Sequence, residues 1–81
     1  PPMNTIISAD DQFSNLIHNV ITLRQRNGLS LRKMAAILHI TPYMLRKLER
    51  GEISSRLYID FLFYLRAHFG VSFYDLFQTR L

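Results

Sequence analysis

Apolar side chains recur at helical spacing in the first third of the chain. They stand three or four residues apart, at Phe13, Leu16, Ile17, Val20 and Leu23. This spacing places them on one face of an amphipathic helix. Asp10 and Asp11 can cap the helix and place acids in its first turn, and Gly28 can adopt the left-handed backbone conformation that ends a helix. The pattern therefore predicts a first helix between about Asp10 and Gly28.

Two short helices are predicted next, each preceded by a hydroxyl residue that can cap it. Ser30 comes before an apolar face formed by Met34, Ala35 and Leu38. Thr41 follows a short connection, and proline at the next position suits the first turn of a helix. We expect these helices to cover about 31–38 and 42–50.

The last third of the chain predicts a longer helix followed by a short one. Ser54 or Ser55 opens the fourth helix, which runs to Phe69, and Gly70 ends it. Ser72 caps a fifth helix. No stretch alternates with period two for long enough to predict a strand. The fold class predicted is all-α with five helices.

Eighty-one residues suit a single domain. We expect a flexible N-terminal arm over 1–9, the domain over 10–78 and a C-terminal tail over 79–81. The sequence has no cysteine, which excludes disulfides and thiolate metal sites, and no apolar run near the roughly 20 residues of a membrane-spanning helix. His18, His39 and His68 lack metal-ligand spacing. We expect a cytoplasmic, nucleoid-associated protein without metal, cofactor or membrane contact.

Positive charge is concentrated in the middle of the chain. The window from Arg24 to Arg56 contains eight basic residues and two acids, a net charge of +6, whereas the rest of the chain sums to −2. A localised basic face suits a polyanion because it releases phosphate counterions. A solvated helical surface would explain the same charge.

The segment GLSLRKMAAILHITPYMLRKLERG, residues 28–51, resembles the helix-turn-helix of the Cro, lambda-repressor and xenobiotic-response-element family. The likeness extends through LRQRNG upstream and LRAHFGVSFYDLF downstream. It implies a five-helix, lambda-repressor-like fold whose third helix is a recognition helix that enters the DNA major groove. It also implies a sequence-specific regulator of transcription that binds double-stranded DNA, in the manner of a repressor.

The resemblance assigns roles to individual residues. Its base-reading positions are Pro42, Tyr43, Arg46 and Lys47. The candidates for phosphate contact are the hydroxyl and basic residues in and around the two helices: Ser30, Arg32, Lys33, Thr41, Arg50 and Arg56. Arg24 and Glu49 match a largely buried ion pair that ties the first helix to the end of the recognition helix. A loose surface pair is the alternative.

Two positions depart from the family pattern. His39 stands where the turn usually has glycine, and histidine is one of the few other residues enriched in the left-handed conformation. Leu31 replaces a glutamine that commonly contacts phosphate, which removes one anchor.

The distribution of apolar residues on the fourth helix predicts a homodimer. One stripe on a helical wheel contains Tyr58, Phe61, Leu62, Leu65 and Phe69. Further apolar residues fall outside that stripe, so the predicted dimer interface consists of Leu57, Ile59, Phe63, Tyr64, Phe73, Tyr74 and Phe77. A wide core with scattered exposed aromatics is the alternative. A two-fold dimer would place recognition helices about 34 Å apart and read a palindromic operator.

A second class of function remains open: a partner-dependent antitoxin or a protein-interaction module built on the same fold. An enzyme is not expected. Serine, histidine and aspartate are present, but without a nucleophile elbow, a metal cluster or a glycine loop that could cradle phosphate.

Overall fold

The computed structural model describes residues 7–81, and the regular structure in that part of the chain is entirely helical. Most of the predicted arm, residues 1–6, lies outside the described residues. The helices in chain order are α1 (Ala9–Arg26), α2 (Leu31–Leu38), α3 (Pro42–Glu49), α4 (Asp60–Phe69) and α5 (Phe73–Gln78). The all-α prediction is confirmed. None of these helices is both long and apolar enough to cross a bilayer.

The first helix begins slightly earlier than predicted. Ser8 is its N-cap, and the Ser8 hydroxyl accepts a hydrogen bond from the main-chain N–H of Asp11 at 3.1 Å. Asp10 therefore lies inside the first turn, where a carboxylate interacts favourably with the positive end of the helix. The assignment of residues up to 9 to an arm is wrong at its boundary, because Ala9 is helical.

The α2–α3 pair follows its predicted boundaries closely, and Arg50 caps α3 instead of extending it. The hydroxyls of Ser30 and Thr41 each accept a main-chain N–H bond of 3.1 Å from the first turn they precede. His39 between the helices has φ 59° and ψ 38°, the left-handed conformation expected of it. Local capping therefore determines where both helices begin and end.

The fourth helix begins at Asp60, so the prediction of a start at Ser54 or Ser55 is wrong. Ser54 closes a turn instead: its carbonyl accepts from the Leu57 N–H at 3.0 Å, and its hydroxyl accepts from the Arg56 N–H at 3.3 Å. A serine hydroxyl can stabilise a turn as readily as a helix cap. Tyr58 precedes α4 and is 77% exposed, so its predicted place in the inner stripe is also wrong.

One core holds the five helices together. α1 packs against α5 and α3, and α2 packs against α3 and α4. The buried apolar side chains are Leu16, Val20, Leu23, Met34, Ala35, Leu38, Leu45, Leu48, Phe61, Leu65 and Leu76. Ala35 in α2 is fully buried, as expected for a small side chain where α2 and α3 cross closely.

A buried asparagine attaches the short α5 to α1. The Asn19 side chain, fully buried, donates to the carbonyls of Asp75, Leu76 and Thr79 at 2.8–3.2 Å. Its Oδ1 accepts from the Leu81 N–H at 2.7 Å. Helix carbonyls near a C-terminus lack intrahelical partners, so Asn19 satisfies groups that the core would otherwise leave unpaired.

The predicted C-terminal tail is fastened to α1 by further contacts. Arg80 donates to Asn15 Oδ1 at 3.0 Å and to the Ser14 hydroxyl at 2.8 Å. Arg26 donates to the main-chain oxygen of Leu81 at 2.8 Å.

Candidate nucleic-acid interface

The outer face of α3 is polar and accessible. Tyr43 is 60% exposed, Arg46 is exposed, and Lys47 is partly exposed. Leu45 and Leu48, on the opposite face, are fully buried. At about 100° per residue, Tyr43, Arg46 and Lys47 fall within an arc of about 100°. α3 therefore presents these three side chains together, with exposed Pro42 at the edge of the arc.

Tyr43 and Lys47 also contact each other. The Lys47 ammonium lies 5.5 Å from the centre of the Tyr43 ring, a cation–π distance between positions i and i+4 of the helix. This contact limits the rotamers of two long side chains before any ligand arrives.

A shallow groove of about 460 Å³ joins α2 to the beginning of α3. Arg32 and Lys33 line it from the first turn of α2, with Ala36, and Pro42 lines it from α3. Both basic side chains are exposed. The structure thus brings the α2 candidates for phosphate contact beside the first turn of α3.

A second groove of about 430 Å³ lies on another side of α3. Its lining contains Thr41, Tyr43 and Lys47 from the α3 side and Arg56 from the loop before α4. Ser54 and Ser55, predicted as alternative starts of the fourth helix, line the same groove. Their signal was the serine pair directly before a basic residue, a composition suited to phosphate contacts.

Ser30 and Thr41 are exposed caps whose oxygens already accept main-chain N–H groups. Each hydroxyl proton remains a donor that can be directed at an anion. The predicted phosphate contacts of these two residues are therefore compatible with their capping bonds.

Arg50 is separated from the other candidates. It lies past the end of α3 and forms an exposed ion pair with Glu52 at 3.5 Å. It also lines a groove with Phe13, His18 and Arg80, on the α1 side of the molecule. Arg50 therefore does not join the side chains around the first turns of α3.

An ion pair connects α3 to α1. Arg24 donates to both carboxylate oxygens of Glu49, at 2.7 Å from Nε and 2.9 Å from Nη2, and its third bond goes to the Leu29 carbonyl at 3.2 Å. The two side chains are 19% and 13% exposed. Hydrogen bonding to Glu49 raises the pKa of Arg24 above its usual value, although partial burial opposes that shift. The expected pair between these residues is present, and it is well shielded from water.

The basic side chains around α3 lack acidic partners. Across residues 7–81, the carboxylates in ion pairs with arginine are Glu49 and Glu52, which contact Arg24 and Arg50. Among the cations without such a pair, five lie on α2, on α3 or in the loop before α4: Arg32, Lys33, Arg46, Lys47 and Arg56. We call these five residues the cationic face. Its positive charge is not neutralised within the described chain.

The turn between α2 and α3 rests on α4 through an aromatic contact. The His39 ring stacks on Tyr64, with 3.8 Å between ring centres and 21° between planes. Tyr64, predicted to lie in a dimer interface, is 36% exposed and contacts its own chain here. Both rings border a groove of about 480 Å³ that also contains Thr41 and Arg56.

The residues of the predicted dimer interface divide into two groups. Ile59, Phe63 and Tyr74 are 50–68% exposed. Leu57, Phe73 and Phe77 are partly buried against the core of their own chain. Three of the seven predicted residues therefore pack within their own chain, and Tyr64 contacts His39, which leaves Ile59, Phe63 and Tyr74 as the most exposed.

Comparisons of the chain with protein-family models, with curated proteins and with solved structures found no match. Within residues 7–81, no group of three histidine, aspartate or glutamate side chains is arranged to hold a metal ion.

Proposed function

We propose that the protein is a sequence-specific regulator of transcription that binds double-stranded DNA as a dimer, with α2 and α3 as a helix-turn-helix in a lambda-repressor-like domain. The observation that supports this most strongly is the cationic face. Five cations without ion pairs surround a helix whose outer surface is polar and whose inner surface is fully buried. A phosphate backbone is the polyanion that such a face suits.

Different members of the interface would have different tasks. Arg46 is exposed on the outer face of α3, and its guanidinium can donate two parallel hydrogen bonds to the acceptor edge of guanine. Arg32, Lys33 and Arg56 lie in grooves on either side and can contact the backbone. The backbone contacts would set the position of α3, and Arg46 would read a base.

The Arg24–Glu49 pair supports this arrangement mechanically. It fixes the C-terminal end of α3 to α1 by a bidentate bond. The N-terminal end is held by the turn at His39, which stacks on Tyr64. A reading helix held at both ends loses little conformational entropy when it binds.

Selection from a random duplex library tests the proposal. We expect the native chain to enrich a palindrome with half-sites about 34 Å apart. Arg46→Ala should remove information at one base pair of each half-site and weaken binding to the native site by about 10- to 100-fold per base contact. Arg26→Ala is the matched control, because this exposed arginine on α1 bonds to Leu81 and lies outside the cationic face.

Salt dependence separates phosphate contacts from base contacts. If three to five phosphates are contacted per protomer, log affinity should fall against log salt with a slope of about −3 to −5 per protomer. Arg32→Ala should make that slope shallower by about one and leave the selected sequence unchanged. Absence of any enriched sequence from the native chain would contradict the proposal. It would favour the other class of function, a partner-dependent antitoxin or protein-interaction module.

A further inference from the structure

The groove that His39 and Tyr64 border has the size and lining of a small-molecule site. We call it the turn groove. Its volume of about 480 Å³ falls within the range of about 300–1,000 Å³ that is typical of ligand pockets. Buried Leu38 and Phe61 lie at its inner side, and partly buried Ile40 and Met44 add apolar surface that water still reaches. A ligand that covers these side chains would remove that surface from water.

Aromatic rings form a further part of the lining. His39 and Tyr64 are already stacked on each other, so the two rings need no ordering when a ligand arrives. Tyr58 lines the same groove and is 77% exposed, without a ring partner among residues 7–81. An exposed ring gains free energy when a second ring packs on it. The lining therefore favours a ligand that carries an aromatic group.

Two opposite charges line the turn groove without pairing. Arg56 lies in the loop before α4, and Asp60 is the first residue of that helix. Both side chains are exposed, and within residues 7–81 neither forms an ion pair with the other or with a third residue. The helix dipole accounts for an acid at the start of α4, but it does not account for an arginine in the same groove. A guanidinium and a carboxylate that stay apart in one groove can each bind an opposite charge of a single ligand.

We propose that the turn groove binds a free aromatic amino acid. Arg56 binds the α-carboxylate, Asp60 binds the α-ammonium, and the ring packs against Tyr58 and the apolar lining. A residue inside a peptide does not suit this pair of charges, because amide bonds have replaced both its carboxylate and its ammonium. An aromatic acid without an amino group would leave Asp60 unpaired and place a second carboxylate near it.

Occupation of the turn groove acts on the cationic face. Thr41 and Arg56 line both this groove and the groove of about 430 Å³ beside α3. A guanidinium neutralised by the carboxylate of a ligand attracts a DNA phosphate less strongly. The amino acid therefore weakens DNA binding, and this part of the inference rests on the proposed function.

Titration of the isotope-labelled full chain with L-tryptophan, followed by amide chemical shifts and without DNA, tests the site. We expect shift changes at Arg56, Tyr58 and Tyr64 and a dissociation constant of about 0.1–1 mM, because an open groove covers a small ligand only in part. Arg56→Gln and Asp60→Asn should each raise that constant about three- to tenfold. Tyr58→Ala should raise it by a similar factor of about three to ten. The amide spectrum of each variant also shows whether it folds.

Two analogues of L-tryptophan assign the two charges. The methyl ester lacks the carboxylate and should bind Arg56→Gln no more weakly than it binds the native chain. Indole-3-propionate lacks the ammonium and should bind Asp60→Asn no more weakly than it binds the native chain. In each case the partner of the mutated side chain is already missing from the ligand, so the substitution removes no further contact. A variant that loses the same factor for L-tryptophan and for the analogue would contradict the contact assigned to it.

Arg66→Gln and Asp10→Asn are the matched controls. They remove an exposed arginine of α4 and an exposed first-turn acid of α1, and neither residue lines the turn groove. Each should leave the dissociation constant within about twofold of the native value. A native chain whose amide shifts do not change up to about 10 mM L-tryptophan would overturn the proposal, since binding in the expected range would then be excluded. Shift changes confined to residues outside the groove would overturn it as well.

A measurement with DNA separates this inference from the proposed function. At about 5 mM, L-tryptophan should weaken binding to the selected palindrome about threefold or more and make the salt slope shallower by about one per protomer. Arg56→Gln should bind the same DNA more weakly and show no response to tryptophan. An unchanged DNA affinity of the native chain at saturating tryptophan would overturn the coupling.

The two proposals can fail separately. A chain that selects a palindrome but does not bind tryptophan would retain the proposed function and lose the amino-acid site. A chain that binds tryptophan through Arg56 and Asp60 but selects no sequence would retain the site and lose the proposed function.

Discussion

The α2–α3 pair and the α4–α5 pair are built from similar lengths of helix but present opposite outer surfaces. Outside the core, α3 presents Tyr43, Arg46 and Lys47, whereas α4 and the residue that precedes it present Phe63 and Ile59. Each helix of the first pair has a hydroxyl cap that bonds to its first turn, while α4 has no side-chain cap. The two pairs also differ in how they are held: an ion pair secures α3, and a buried amide secures α5.

This difference shows that one small core can support two kinds of exposed surface. Cations remain solvated on the outer face of α3 and need no partner for stability. Exposed aromatic and aliphatic side chains on α4 gain free energy when another surface covers them. The first surface suits a polyanion, and the second suits an apolar partner.

The largest expected effect comes from removing the buried amide that secures α5. Asn19→Ala should lower the free energy of unfolding by about 3–4 kcal/mol, because three carbonyls and one N–H lose a partner inside the protein. Urea denaturation followed by circular dichroism measures this loss. Asn15→Ala is the control: that side chain makes a single bond to the α5 main chain, to the Phe77 carbonyl at 2.9 Å, and should cost about 1 kcal/mol. Equal losses in the two variants would contradict the role assigned to Asn19.

Breaking the ion pair that secures α3 should have the next largest effect. Glu49→Ala leaves Arg24 shielded and unpaired, and should cost about 3 kcal/mol of unfolding free energy. Glu52→Ala, in the exposed pair with Arg50, should cost less than about 1 kcal/mol in the same urea titration.

The pH dependence of this pair has a definite sign. Because the pKa of Arg24 is raised in the folded state, its contribution is present below the ordinary pKa of arginine and is lost only as pH rises through the raised value. The difference in stability between Glu49→Ala and the native chain should therefore stay constant from about pH 6 to about pH 9. A difference that shrinks across this range would show that Arg24 is not the partner concerned.

The smallest expected effect concerns His39, whose ring stacks on Tyr64 of the other region. His39→Gly removes the stacking on Tyr64 but relieves the left-handed strain, so the free energy of unfolding should change by less than about 0.5 kcal/mol. His39→Ala removes the stacking and keeps the strain, and should cost about 1 kcal/mol more than glycine. Thermal unfolding of both variants measures the gap. Alanine as stable as glycine would contradict the strain at this turn.

How far the sequence predicts this molecule differs between the two regions. The bounds of α2 and the start of α3 follow from Ser30, Thr41 and the proline after it, because a cap acts on N–H groups two or three residues away. The start of α4 does not follow from Ser54, because the same hydroxyl can close a turn, and the sequence contains no signal that separates the two uses.

The sequence predicts which residues belong to the candidate interface better than it predicts which of them lie together. Every residue named for it from the resemblance lies on the surface except the partly buried Lys47, and the described ion pairs leave five of its cations without acids. The sequence does not show that Arg50 faces the α1 side or that Ser54 and Ser55 line a groove with Arg56. Both placements depend on the path of the loop before α4.

The sequence by itself determined the helical class, the caps at Ser30 and Thr41, and the left-handed turn at His39, since each depends on side chains within a few positions of the backbone they shape. Only the tertiary structure decided that Asn19 is buried against α5, that Tyr64 stacks on His39, and that Phe73 packs edge-on against Phe63. These contacts join residues from about 10 to nearly 60 positions apart, and their partners depend on how the helices cross.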